Sequence, residues 1–190
     1  MSALRIAVLG LGNLMRADDA VGMLAIERLK ADARVPAGVS LVEGGTLGLD
    51  LLHPLQGVTH LLALDAIDAG ARPGTLLRYE GESIADLPTS KSVHLLGFSD
   101  LIGAMRLTGE APRDIVVLGV QPETISWGTR LTPTVEASLS TLTDAAITQV
   151  LRWHREIGGT DQQRAAGVAS KRGPERIGAL SASAESRWYW

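Results

Sequence analysis

The 190-residue chain contains no cysteine. That absence excludes disulfides, thiolate metal sites and cysteine-nucleophile chemistry together, and it fits a reducing compartment, so a cytoplasmic location is expected. No apolar run approaches the roughly 20 residues needed to span a bilayer, and membrane insertion is not expected. The opening MSALRIAVLG lacks a basic leader and a small-residue cleavage site, and it reads as a strand rather than a signal peptide. A large excess of charge of one sign is lacking too. A formal net charge of -3 offers no electrostatic reason to bind nucleic acid or an anionic membrane. What is present is ordinary for a globular protein: 45% apolar and 21% charged residues, in a length that suits one domain with a sizeable core.

Residues 4–10 form a short apolar run ending in glycine, the pattern of a strand buried on both faces. After the loop LGNLMRADD, the stripe Val21, Leu24, Ala25 and Leu29 predicts a helix, broken by Pro36 and Gly38. Residues 39–43 read as a second strand closed by Gly44-Gly45, and residues 47–52 as a short helix stopped by His53-Pro54. HLLALD (60–65) is a third strand, and residues 75–79 a fourth, entered through the Pro73-Gly74 turn. Leu95, Phe98, Leu101, Ile102 and Met105 form the stripe of another helix, followed by a strand over 114–120. Thr132 is placed to cap a long helix with Pro133 at its first position, and Val135, Leu139, Leu142, Ala146 and Val150 line its buried side. This alternation predicts a three-layer α/β/α sandwich around a mostly parallel twisted sheet.

The helical pattern ends near His154. The expected organisation is therefore a domain over 1–154 and a flexible, solvated extension over 155–190, which carries six basic and four acidic residues. The terminal Trp188-Tyr189-Trp190 is read as part of that extension.

In a parallel α/β sheet, ligands gather outside the carboxyl ends of the strands. Asp18 and Asp19 follow the first strand, Glu43-Gly44-Gly45-Thr46 follows the second, and Asp65 ends the third. His94 stands at the start of the 95–105 helix, from which an imidazole can lean over the same rim. Each has a purely structural reading: Asp18 and Asp19 as helix caps, Asp65 as a turn cap, the double glycine as a tight turn. Two acidic loops and an imidazole at one sheet edge outweigh those readings. They predict a metal-handling site whose oxygen and nitrogen donors suit zinc, nickel or manganese. His53 and His60 gain no such support and are read as structural.

Other chemistries fit poorly. Gly10-Leu11-Gly12 is reminiscent of a dinucleotide loop, but Met15 stands where the third glycine should allow close helix packing. Gly97-Phe98-Ser99 has Leu101 where a nucleophile elbow needs glycine and lies within a helix. No HExxH helix and no P-loop occur. A non-catalytic metal or nucleotide module and a metal-dependent hydrolase of small substrates stay open on the residues alone.

Five further pieces carry a resemblance: Gly10-Leu11-Gly12-Asn13-Leu14 with Asp18-Asp19-Ala20-Val21-Gly22; Glu43-Gly44-Gly45-Thr46; Asp65-Ala66; His94-Leu95-Leu96-Gly97; and Leu131-Thr132-Pro133-Thr134-Val135. In this order and spacing, over residues 4–151, the chain resembles the maturation endopeptidases of [NiFe] hydrogenases. The resemblance implies an aspartyl-type endopeptidase that removes the C-terminal extension of a hydrogenase large-subunit precursor after nickel insertion. It implies that the family's catalytic and metal-contacting trio falls on Asp19, Asp65 and His94, with nickel recognised in the precursor rather than held permanently. Glu43, Gly44, Gly45 and Thr46 would meet the substrate chain, and the partner would be the precursor alone, met by a monomer. The family commonly has glutamate where Asp19 stands and aspartate where Glu43 stands, so Asp18 and Asp19 both remain candidates for the first ligand.

Overall fold

A computed structural model describes residues 4–88 and 93–169, with side chains described over 4–88 and 95–156. Five strands form one sheet: β1 (Ile6–Leu11), β2 (Ser40–Gly45), β3 (His60–Ala66), β4 (Leu76–Glu80) and β5 (Asp114–Val120). Their spatial order is β2-β1-β3-β5-β4. The pairs β1–β2, β1–β3 and β3–β5 are parallel, and β4 runs antiparallel to β5 at the edge. Position in the sheet explains the strand sequences. The interior strands β1, β3 and β5 are buried on both faces and read as unbroken apolar runs, whereas the edge strands β2 and β4 are only half-buried.

Alternation along the strands sends side chains into two cores. On one face Val8, Leu62, Leu64, Val116 and Leu118 meet α1 (Val21–Lys30) and α3 (Pro133–Ala169). On the other, Leu9, Leu61, Ala63 and Val117 meet α2 (Val93–Leu107) through Leu95, Phe98, Leu101, Ile102 and Met105. The expected three-layer sandwich and the apolar stripes of α2 and α3 are thus borne out.

Local differences have local causes. The helix expected at 47–52 is a single 3-10 turn, Gly48–Leu52, entered through Gly48 at positive φ. The glycines after residue 43 belong to β2 itself, where the register with β1 shifts between Gly10 and Leu11. Helix α3 continues beyond His154 to Ala169, because small and polar residues sustain a helix without an apolar stripe. The chain divides into units Met1–Ile157 and Gly158–Trp190; of the second, only α3 as far as Ala169 is described. The terminal Trp188-Tyr189-Trp190 lies outside the described residues.

Glycines let α1 sit directly on the strand ends. A Cβ on Gly22 would stand 2.2 Å from the Leu64 carbonyl oxygen and 2.4 Å from that of Leu11. A Cβ on Gly10 would meet the Gly22 oxygen at 2.6 Å. Only an unsubstituted backbone permits this approach, which holds the 3-10 turn Ala17–Ala20, just before α1, against β3.

At the other end of the sheet, fully buried Trp153 donates its indole N–H to Asp114 Oδ2 at 2.6 Å. Its ring meets the His60 imidazole edge-on, with centroids 5.2 Å apart. His60 Nδ1 also lies 2.9 Å from the Thr59 hydroxyl, so this histidine is structural as expected. Trp153→Ala should cost about 3–5 kcal/mol in urea-monitored unfolding, the usual range for emptying a large aromatic site. Burial holds the His60 imidazole below its ordinary titration range, with the Asp114 carboxylate opposing that shift. Below pH about 6.5 the unfolded chain therefore takes up a proton there that the folded chain refuses. Stability should fall as pH drops through that value, and the fall should be shallower in His60→Gln when unfolding free energies are compared from pH 7.5 to 5.5.

Candidate functional site

The parallel strands end together at Leu11, Gly45, Ala66 and Val120, and the expected site residues stand along this rim. The first loop folds back on itself at Gly12, whose φ is +120° and whose absent Cβ would lie 1.8 Å from the Asp19 carbonyl oxygen. Gly12 N–H donates to Gly45 O at 3.0 Å, joining this loop to the end of β2. Within it, Asn13 N–H donates to Asp19 Oδ2 at 3.0 Å, and Met15 N–H to Asn13 Oδ1 at 2.9 Å.

Asp18 and Asp19 share the turn Ala17–Ala20 but serve different ends. Neither caps a helix. Asp18 is fully buried. Its Oδ2 accepts from Glu123 N–H at 2.9 Å, Thr124 N–H at 3.1 Å and the Thr132 hydroxyl at 3.0 Å, and its Oδ1 accepts from Thr132 N–H at 2.6 Å. Four donors saturate this carboxylate, so it is a structural hub rather than a ligand, and of the two Asp19 is the candidate. Thr132, expected as a helix cap, spends its hydroxyl on Asp18. The backbone adds to the tie: Ala17 N–H donates to Gly128 O at 2.8 Å, and Gly128 N–H to Met15 O at 3.0 Å. Ala17 itself is held at φ 41°, a left-handed conformation that costs a non-glycine residue about 1 kcal/mol or more.

Asp65 is the penultimate residue of β3, fully buried, with Oδ1 accepting from Ala66 N–H at 2.8 Å. By alternation with Leu61 and Ala63 it belongs to the α2 side of the sheet. His94 is the second residue of α2; its backbone is described and its side chain is not. One turn further along, a Cβ on Gly97 would lie 3.4 Å from Gly48 Cα, so α2 starts against the loop that follows β2. The rim therefore carries Asp19, Asp65 and the first turn of α2. Among the described residues no group of three or more His, Cys, Asp or Glu side chains is placed to hold a metal ion, a set from which His94 is absent.

The quartet at the end of β2 divides. Glu43 is exposed and ion-paired with Lys30 of α1, while Gly44, Gly45 and Thr46 reach the rim. Gly45 N–H points to Met23 Sδ at 3.3 Å and its carbonyl accepts from Gly12. Sequence reasoning missed Gln121, which directly follows β5. Its Oε1 accepts from Ala69 N–H at 2.9 Å and Ala71 N–H at 3.0 Å, and its Nε2 donates to Asp68 Oδ1 at 3.0 Å. The one available signal was an amide directly after an apolar strand.

A family model described as hydrogenase maturation protease matches residues 23–149. The chain is 39% identical over 157 residues to the hydrogenase 2 maturation protease of Escherichia coli, covering 82% of this chain and 93% of that one. It is 35% identical over 168 residues to the hydrogenase expression/formation protein HupD of Bradyrhizobium diazoefficiens, covering 87% and 85%. Its fold matches the solved structure of the hydrogenase maturating endopeptidase HybD from Escherichia coli with a TM-score of 0.73 at 37% identity, over 82% of this chain and 94% of that one.

The division of labour between the paired aspartates is measurable. Asp18→Ala strands three backbone donors and should cost about 3 kcal/mol or more of unfolding free energy in urea titrations. Asp19→Ala should cost about 1 kcal/mol. Equal losses would contradict the assignment.

Proposed function

Because the chain belongs to the hydrogenase maturation protease family, we propose that it removes the C-terminal extension of a [NiFe] hydrogenase large-subunit precursor after nickel insertion, with Asp19, Asp65 and His94 contacting the nickel that the precursor carries. The observation that carries this reading is the contrast within the aspartate pair. Asp18 is consumed by four hydrogen bonds, and the turn that carries Asp19 packs against β3, the strand that holds Asp65. Two carboxylates and an imidazole are donors that nickel accepts.

In this reading the metal is part of the substrate. Nickel bound in the precursor brings the cleavage segment to the rim, so an unloaded precursor lacks the metal contact that seats that segment. Hydrolysis of the peptide bond requires a water deprotonated as it attacks and a proton returned to the leaving amine, which are tasks for a carboxylate of the trio. Gly44, Gly45 and Thr46 line the approach; since Gly45 N–H is engaged by Met23, the substrate backbone meets this loop elsewhere than at that group. The enzyme acts as a cytoplasmic monomer. No described helix is long and apolar enough to cross a membrane.

Incubating the purified protein with nickel-loaded and nickel-free precursor, and weighing the products by mass spectrometry, tests the reading. Cleavage of the loaded form alone is expected, and equal cleavage of both overturns the checkpoint. Asp65→Ala and His94→Ala should lower kcat/KM by about 100-fold or more, with melting behaviour close to that of the wild type for His94→Ala. Asp19→Glu should retain most activity, and Asp19→Ala should lose it.

A further inference from the structure

Eight large apolar side chains are left exposed among the described residues, and six of them stand on loops or first turns at the carboxyl rim: Leu14, Met15, Leu47, Leu49, Leu96 and Trp127. Single exposed hydrophobics are common; six on the loops of one sheet edge are not. Trp127 is the most prominent, at 82% exposure, with Met15 at 54% in the adjoining loop.

Its loop is also unusually well held. Arg16 and Gly128 form a parallel bridge, and Ala17 N–H and Gly128 N–H each bond across it. The Arg16 guanidinium Nε donates to Ile125 O at 2.9 Å, and Asp18 accepts from Glu123 and Thr124. A tryptophan presented at the tip of a locked loop has already lost much of the entropy that binding would otherwise cost. Tryptophan is also the side chain most often found at the energetic centre of protein interfaces.

We propose that Trp127, with Met15 and Leu14 in the loop bonded to its own, is the docking anchor for an apolar segment of the large-subunit precursor adjoining the bond that is cut. The partner follows from continuity with the site: the loop zipped to Trp127's loop is the one that carries Asp19, so a chain that reaches Asp19 passes this ridge. The inference rests on the proposed processing reaction and adds to it the means of recognition. Burial of Trp127 contributes to binding and not to the chemical step, so it acts on KM.

Steady-state cleavage of nickel-loaded precursor provides the test. Trp127→Ala should raise KM about tenfold or more with kcat within about twofold, and Trp127→Phe should recover most of the loss. Leu107→Ala should change neither constant; Leu107 is 92% exposed at the far end of α2 and serves as the control. All three variants should melt within about 2 °C of the wild type, since surface changes of this kind alter stability little. Unchanged KM in Trp127→Ala, with the wild type active, overturns the anchor and leaves the processing reaction standing. A Trp127→Ala variant that changes the sedimentation of the free protein while KM holds assigns the ridge to self-association and likewise overturns it. A wild type that fails to process any loaded precursor removes the reaction and the anchor with it.

Discussion

The carboxylate of Asp18 is sealed inside the protein, and the geometry of the rim depends on how its charge is satisfied. Removing a carboxylate from water costs several kcal/mol, and the cost is offset only when donors surround it. Here three backbone N–H groups and one hydroxyl do so, and they come from the segment between β5 and α3. One of them, Thr132 N–H, lies directly before the first residue of α3, where the helix dipole also favours negative charge. The interaction therefore joins the end of β1, the end of β5 and the start of α3. Each of these would otherwise end in a separate surface loop.

A second constraint acts from below. Gly10 and Gly22 bring α1 onto the strands closely enough that a single methyl group would collide with carbonyl oxygens of β1 and β3. Gly12 then lets the loop return over Asp19. In a dinucleotide-binding loop the third glycine serves this same packing role just after the first two. In this protein Met15 occupies that place in sequence, yet Gly22 occupies it in space, seven residues later and past a 3-10 turn. The longer loop leaves no room for a tight phosphate-binding turn there and carries Asp19 instead.

Much of this was legible from residue pattern. β3 and β5 declared themselves as apolar runs because their neighbours bury both faces, and the stripes of α2 and α3 followed the helical period. The placement of Asp19, Asp65 and the first turn of α2 along the rim followed from topology. The choice between Asp18 and Asp19 did not, because adjacent residues of one type differ only in direction. On a 3-10 turn one step rotates the side chain by about 120°, which sends one carboxylate inward to the β5–α3 segment and leaves its neighbour at the rim. Nothing local announces the partners of Asp18, which lie more than a hundred residues away. Glu43 was misleading for a related reason: strand alternation turns it toward α1 and Lys30, away from the glycines beside it. The continuation of α3 past His154 was hidden because the sequence there carries no apolar stripe whose period could be read.

Rim loops in α/β enzymes are usually the parts that adapt to a ligand. Here the first loop and the 123–130 segment are bonded to one another at Asp18, Ala17, Arg16 and Gly128, and the glycine contacts beneath leave α1 no room to shift. Local opening would have to break a buried charge network, which places this region among the costlier parts of the structure to unfold. In the proposed reaction, then, conformational adaptation falls to the precursor. A rigid enzyme can test whether a metal and a peptide segment arrive together in one geometry, since a mismatch at either cannot be relieved by movement of the rim. In that proposed reaction, selectivity for a loaded precursor would follow from this rigidity as much as from the identity of the ligands. Asp18, whose carboxylate is taken up by four internal donors, would be the residue that confers it.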